Sequence, residues 1–239
     1  MSDRVPLVRR LREGLLAALF PADCLLCAGI LPWRQRGGVC LPCWEAIPWT
    51  PGTRLWRRGP LRAVLWGGDY EGEIRRLIQV FKFEGMESLG PALALAALDR
   101  SRALLLNGPL RPDLALAVPL HWSRRLRRGY NQSEILARAL ARAVALPVVP
   151  GLLGRPRAAG RQIRLGRGDR LRALDGVFRA RPTRRTGPPG RRRLLSLRGR
   201  VVLLVDDVMT TGATLEACAG ALRGAGAAAV IGFVVARTP

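Results

Sequence analysis

The stretch Val201-Val202-Leu203-Leu204-Val205-Asp206-Asp207-Val208-Met209-Thr210-Thr211-Gly212-Ala213-Thr214 decides the fold. Its five opening residues are apolar and mostly β-branched, the composition of a strand covered on both faces inside a parallel sheet. Two carboxylates follow, then the turn Thr210–Thr214, and Leu215–Arg223 has the apolar spacing of a helix. Open α/β sheets collect ligands at the carboxyl ends of their strands, which is where this order puts the acids. A turn leading into a helix offers a phosphate unpaired N–H groups, hydroxyls and a positive dipole end. One sugar phosphate uses all of these parts. Asp206 and Asp207 can accept hydrogen bonds from a ribose diol. Thr210, Thr211, Gly212, Ala213 and Thr214 can wrap the 5′-phosphate, with Gly212 permitting close backbone approach. Neighbouring strand residues point to opposite faces. Both acids therefore reach one ligand only if the chain is already leaving the strand, and the strand is expected to end there.

Length and charge narrow the reading further. The chain has 239 residues, room for one ordinary domain and a small appended one, and 49% of them are apolar, ample for a core. Net charge is +23, yet of 40 basic residues only Lys82 is lysine. Such replacement fits a genome biased toward arginine codons, so the abundance of arginine says little about geometry. The sign of the charge still attracts phosphates, nucleic acid and anionic surfaces. No stretch is long and apolar enough to span a bilayer. The opening Val8-Arg9-Arg10-Leu11-Arg12 and Leu15–Phe20 has the outline of a signal peptide. Its apolar part is short, Glu13 interrupts it and no small-residue cleavage site follows. An amphipathic N-terminal helix and a cytoplasmic protein are expected.

Cys24-x-x-Cys27 and Cys40-x-x-Cys43 hold four of the five cysteines. Each pair can turn two thiolates toward one ion from a tight knuckle, and four thiolates around Zn²⁺ make a closed structural site. Two disulfides are the alternative, which a reducing cytosol disfavours. A region this small buries little core, so the metal is expected to supply its folding free energy. Trp33, Trp44, Trp49, Trp56 and Trp66 fall in or just after it, interleaved with Arg34, Arg36, Arg54, Arg57 and Arg58. They either cover the knuckles and the joint between modules or form a stacking platform for single-stranded nucleic acid. Residues 1–55 are expected to hold the helix and the zinc-ribbon-like module, and residues 56–239 the larger domain. Pro48–Pro60 reads as a linker.

Strands are expected at Leu61–Trp66, Leu114–Val118, Pro147–Leu153 and Ala228–Val235, and helices at Glu73–Val80, Pro91–Leu106 and Asn131–Val144. This alternation gives an α/β fold with a doubly wound, mostly parallel sheet. Arg155–Arg200 has little periodicity beyond a strand-like Val177–Arg179, and it carries sixteen arginines against Asp169 and Asp175. Pro182–Arg193 within it reads as a disordered excursion. Cys218 shares a helical face with Leu215 and Leu222 and reads as a buried small apolar residue.

The opening run resembles the phosphoribosyl-pyrophosphate (PRPP) motif of type I phosphoribosyltransferases: apolar strand, Asp-Asp, then Thr-Thr-Gly-x-Thr. Further runs are Val118-Pro119-Leu120-His121, Arg128-Gly129-Tyr130-Asn131-Gln132 with Leu136-Ala137, and Phe81-Lys82-Phe83-x-Gly85. With the tetracysteine module ahead of them, they resemble the ComF family of bacterial proteins associated with DNA uptake. One segment departs: where that family commonly has Arg-x-x-Asn before Gly-x-Phe, Arg170 is followed by Ala173, then Gly176 and Phe178. The resemblance implies a Mg²⁺-dependent phosphoribosyltransferase, a glycosyltransferase of unknown acceptor, linked to natural transformation. It implies Asp206 and Asp207 as catalytic acids on the ribose, and Thr210–Thr214 on the 5′-phosphate. Leu120, His121, Arg124 and Lys82 would face the pyrophosphate, and Arg161, Gln162 and Arg170 would lie on a flexible catalytic loop. Competence-machinery proteins are further expected partners. The alternative is a non-catalytic competence factor that binds single-stranded DNA with its zinc module and basic surface. His121, the single histidine, fits a loop residue as well as a pyrophosphate contact. Lys82 fits chance survival as well as a need for one compact point charge.

Overall fold

The computed structural model describes residues 23–31, 38–56, 58–106, 111–120, 126, 128–155, 176–186 and 193–239. His121, Arg124, Arg161, Gln162, Arg170, Trp33 and the expected N-terminal helix lie outside the described residues. The chain divides into two compact units, Met1–Pro48 and Trp49–Pro239.

In the first unit Asp23 and Ile30 form an antiparallel bridge around a tight knuckle. Within it the Cys24 N–H donates to the Gly29 carbonyl at 2.8 Å and the Ala28 N–H to the Cys24 carbonyl at 2.9 Å. Ala28 takes a left-handed backbone, φ 58°, to make the turn. The Leu25 N–H reaches the Gly38 carbonyl at 2.8 Å and so fastens the second knuckle to the first. Helix α1, Leu41–Ala46, starts directly after Cys40, with Pro42 in its first turn, where a missing N–H costs nothing. Buried apolar side chains are few: among the described residues of this unit they are Cys24, Leu31, Val39 and Ile47.

The second unit runs β1 (Gly52–Leu55), β2 (Leu61–Asp69), α2 (Gly72–Phe83), α3 (Leu89–Leu106), β3 (Leu114–Ala117) and α4 (Gln132–Ala143). It continues with β4 (Leu153–Gly154), β5 (Arg179–Ala180), β6 (Thr183–Thr186), β7 (Arg193–Ser196), β8 (Val201–Met209), α5 (Ala213–Gly224) and β9 (Ala229–Arg237). The main sheet has the order β1-β2-β9-β8-β3, parallel except for β1. Its centre is the expected apolar run: Val202, Leu203, Leu204 and Val205 are fully buried. Val202 and Leu204 cluster with Leu215, Cys218 and Leu222 of α5. Alternation turns Leu203 and Val205 to the other face, and α3 and α4 also pack on the sheet. Burying each such side chain stabilises the fold by roughly 1.5–3 kcal/mol. Gly67 lets α3 come close to β2, because a Cβ there would lie 2.5 Å from the Cβ of Ala97.

The architecture is the expected α/β one, a phosphoribosyltransferase-type mostly parallel sheet, and three local expectations change. Pro48–Pro60 is not a plain linker. It contains β1, which pairs antiparallel with β2 through Thr53–Leu65 and Arg54–Val64. Pro147–Leu153 is not a strand. Val148 makes one parallel bridge to Ala115, and Leu153 departs to pair with Ala180. Pro182–Arg193 is not wholly irregular, since β6 and β7 form a hairpin with Thr183 opposite Ser196 and Thr186 opposite Arg193. Among the described residues no helix is long and apolar enough to cross a membrane.

Candidate functional site

Strand β8 carries the acidic pair to the carboxyl edge of the sheet. It does not end at the pair but continues to Met209, because Val208 and Met209 stay in register with Ala236 and Arg237 of β9. Residues 206 and 207 therefore leave the strand in alternate directions, against the expectation that it ends at the pair. What keeps the two carboxyl groups adjacent is the Asp207 N–H, which holds an oxygen of Asp206. Each acid also meets a different helix. Ser133, in the first turn of α4, donates from Oγ to Asp206 Oδ1 at 2.8 Å. Lys82, at the end of α2, lies with Nζ 2.7 Å from Asp207 Oδ1. The Asp207 N–H also donates to Asp206 Oδ1, at 3.0 Å. Each acid is thus tied through one oxygen. The other oxygen of each accepts no hydrogen bond from the described residues.

Both helices are anchored by the Arg128–Gln132 run. Asn131 caps α4, its Oδ1 accepting from the Ser133 N–H at 3.2 Å while its Nδ2 donates to the Val118 carbonyl at 3.1 Å. This joins the start of α4 to the end of β3. The Tyr130 hydroxyl donates to the Phe81 carbonyl, which fixes the last turn of α2 beside Lys82. The Lys82 ammonium also lies 6.0 Å from the centre of the Tyr70 ring. Burial first, and then the neighbouring Asp207 carboxylate, push the Asp206 carboxyl up to about 7. Ser133, the Asp207 N–H and Lys82 pull it the other way without cancelling that rise.

The threonine turn meets α5 at Gly212, whose φ of +86° is left-handed and which no side chain caps. An uncapped helix start presents N–H groups and a positive dipole end to an anion. The Ala213 N–H makes only a long bond, 3.4 Å, to Thr211 Oγ1. Thr210 and Thr211 are exposed and Thr214 is half-buried. Trp56 stands beside the turn: a Cβ at Gly212 would lie 3.2 Å from its ring, and Arg54 stacks on the same indole at 4.8 Å. A side chain at position 212 is disfavoured both by φ and by this contact.

The remaining expected residues distribute unevenly. Leu120 lies just past β3, partly buried, while His121 and Arg124 lie outside the described residues, as do Arg161, Gln162 and Arg170. Trp66 is core rather than a stacking surface: it is 6% exposed, its indole N–H donates to the Thr50 carbonyl at 3.1 Å, and Arg237 covers its ring at 4.5 Å. Cys218 is fully buried, and burial pushes its thiol well above the usual range. Ser133 and Tyr70 were not singled out from the sequence. The signal for Ser133 was present, because it shares the i, i+3, i+4, i+7 stripe with buried Leu136, Ala137 and Leu140. A serine on such a stripe needs a partner.

In the first unit the sulfurs of Cys24, Cys27, Cys40 and Cys43 lie within 4.8 Å of one another, and those of Cys27 and Cys40 are 3.7 Å apart. Sulfurs about 2.3 Å from one tetrahedral ion stand roughly 3.8 Å apart, so the cluster fits a metal. The Cys40 and Leu26 N–H groups point at Cys24 Sγ, at 3.3 and 3.5 Å. Burial opposes the Cys24 thiolate, but N–H groups of Cys27, Cys40 and Leu26 outweigh it and bring the thiol down to about 6. Hydrogen bonding to the other thiols, Cys40 first, raises Cys43 to about 12. A divalent ion bound by the four sulfurs would offset that rise.

Residues 130–239 match the family described as the phosphoribosyl transferase domain. That match takes in Asn131, Ser133, the acidic pair and the threonine turn, and leaves Lys82 outside. The chain is 32% identical over 220 residues to the DNA utilization protein YhgH of Salmonella typhimurium, covering 90% of each. It is 32% identical over 160 residues to competence protein F of Haemophilus influenzae, covering 65% of this chain and 64% of that one. Among solved structures, the glutamine PRPP amidotransferase of B. subtilis aligns with a TM-score of 0.38 and 21% identity, over 62% of this chain and 26% of that chain.

Proposed function

Because the chain belongs to the ComF family of phosphoribosyltransferase-like proteins, linked to DNA uptake, we propose that it binds the magnesium complex of PRPP and transfers the phosphoribosyl group to an acceptor. The observation that carries this reading is the pairing of two tied carboxylates with an uncapped helix start at Gly212. The N–H groups of Thr210–Thr214 receive the 5′-phosphate. The remaining oxygens of Asp206 and Asp207 accept from the ribose hydroxyls. Held at both ends, the sugar keeps C1 in place while the pyrophosphate departs and the acceptor attacks. The transition state resembles an oxocarbenium ion, so the protein contributes positioning and charge neutralisation, and no residue becomes covalently attached. Magnesium on the pyrophosphate offsets the charge of the leaving group. Leu120, His121, Arg124 and Lys82 face that group, Arg161 and Arg170 add positive charge around it, and the Gln162 amide adds a neutral hydrogen-bonding group.

The tetracysteine cluster holds a structural zinc in this reading, supported by the sulfur spacing and the N–H donors on Cys24. A site closed by four thiolates has no open position and takes no part in the transfer. The action is cytoplasmic, where thiols stay reduced. A second reading, a non-catalytic competence factor that holds single-stranded DNA, draws on the charge of +23. Against it stands the half-buried Asp206, driven up to about 7 beside a second acid, a costly arrangement for a site with no ligand. The test is incubation with labelled PRPP, magnesium and a panel of bases. Pyrophosphate release that drops about 100-fold or more in Asp206→Asn/Asp207→Asn is expected. Release indifferent to that double change would overturn the reading. Salt-dependent DNA binding that survives it, without turnover, would favour the second.

A further inference from the structure

The two carboxylates are tied in the same manner by different elements. Asp206 gives Oδ1 to the Ser133 hydroxyl and the Asp207 N–H; Asp207 gives Oδ1 to the Lys82 ammonium. A carboxylate with one oxygen committed cannot rotate freely, so its second oxygen keeps one direction. Ser133 is itself immobile: it is 5% exposed, and its own N–H is held by Asn131 at 3.2 Å. Lys82 is only 15% exposed on its side chain and sits at the end of α2, outside the segment that matches the phosphoribosyl transferase domain.

We propose that Ser133 is a positioning residue which, together with Lys82, commits one oxygen of each acid and leaves the other two for adjacent hydroxyls of a ribosyl phosphate, so that the site takes ribose and rejects 2-deoxyribose phosphates. The proposal rests on the reading of the site as one for PRPP and adds to it a selectivity and a residue that sets it. A site that binds a hydroxyl through buried polar groups rejects the analogue without it, because the acceptor kept for that hydroxyl is left unpaired. The consequence for a protein linked to DNA is specific: a deoxyribose phosphate is a poor ligand for the acidic pair.

Ser133 also leaves a signature that a packing residue would not. Its hydroxyl donates to the charged form of Asp206 and so holds that group's titration down. The other groups facing Asp206 are Asp207 on β8, Lys82 on α2 and Cys218 on α5. Sugar hydroxyls donate more strongly to an ionised carboxylate than to a neutral carboxyl, so affinity falls as pH falls through the titration of Asp206. Removing the serine hydroxyl moves that midpoint to higher pH.

The experiment titrates the full-length protein with PRPP, ribose 5-phosphate and 2-deoxyribose 5-phosphate from pH 5.5 to 8.5, in wild type, Ser133→Ala and Ser133→Thr. The ligand phosphate titrates equally in every case, so differences between variants belong to the protein. Wild type is expected to prefer ribose 5-phosphate over its deoxy analogue about tenfold or more. Ser133→Ala is expected to bind PRPP about tenfold more weakly at pH 7 with the midpoint raised, and Ser133→Thr to restore both. Should the alanine variant not fold, Ser133→Cys, near in size and a weak donor, gives the same comparison. Equal binding of the two sugars by wild type would overturn the selectivity. An unmoved midpoint in Ser133→Ala would overturn the role of Ser133 while leaving the PRPP reading intact. Wild type that binds no PRPP would bring down both.

Discussion

Trp49–Pro239 buries Val202–Val205 of β8, most of β9 and the inner stripes of its helices, whereas Met1–Pro48 buries, among its described residues, Cys24, Leu31, Val39 and Ile47. In the larger unit the apolar pattern alone is enough to specify a core, and the polar residues within it are then free to serve a ligand. Among the described residues of the smaller unit the polarisable sulfurs gather instead, with Cys24 alone of the four buried. The four lie within 4.8 Å of one another, a spacing that could hold a metal. The difference teaches where a core can form without a ligand and where, as we propose, a metal supplies the folding free energy.

The largest effect is expected on the sulfur side of this comparison. Zinc bound by four thiolates contributes on the order of 10–16 kcal/mol of apparent folding free energy in small modules. Chelation, or Cys24→Ser, is therefore expected to abolish hydrogen-exchange protection of the Cys24, Leu25 and Ala28 amides, all of which are bonded in the folded knuckle. Protection that persisted without metal would break the comparison, because the few apolar side chains would then suffice.

A smaller effect sharpens the other side. The folded value of Asp206, about 7, lies above its ordinary value of 3.8. Between these limits the folded chain binds more protons than the unfolded one, so stability is present at low pH and is lost as pH rises from about 4 through about 7. Asp206→Asn removes this loss. Its melting temperature is expected to exceed that of wild type by a few degrees at pH 8, with the gap closing toward pH 4. Thermal unfolding at the two pH values checks it, and equal melting temperatures at pH 8 would show that the acid is not held at a cost to the core.

How much of this was legible follows the same division. Val201–Val205 and the turn at Gly212 announced a buried strand and the helix start that follows it, because an apolar run and a threonine turn are local signals. The paired Cys-x-x-Cys knuckles were equally local. Strand β1 was not legible: at the edge of the sheet its Thr53, Arg54 and Leu55 are all exposed, so it takes its order from β2 and carries no alternation of its own. Val148 and Leu153 read as one strand by composition but belong to different pairings, which depend on partners far along the chain. Ser133 was hidden for the same reason, since its partner Asp206 is 73 residues away. The continuation of β8 past the acids was decided by register with β9, a tertiary contact that overrides the turn residues beyond Met209.

The proposed transfer requires the acidic pair and the Gly212 turn to grip one pentose phosphate. Calorimetric titration of the full chain with magnesium PRPP tests this most directly. The expected result is one-site binding to wild type that weakens about 100-fold or more, or vanishes, in Asp206→Asn/Asp207→Asn. Binding left unchanged by that double substitution, or no binding to wild type at millimolar ligand, would contradict it.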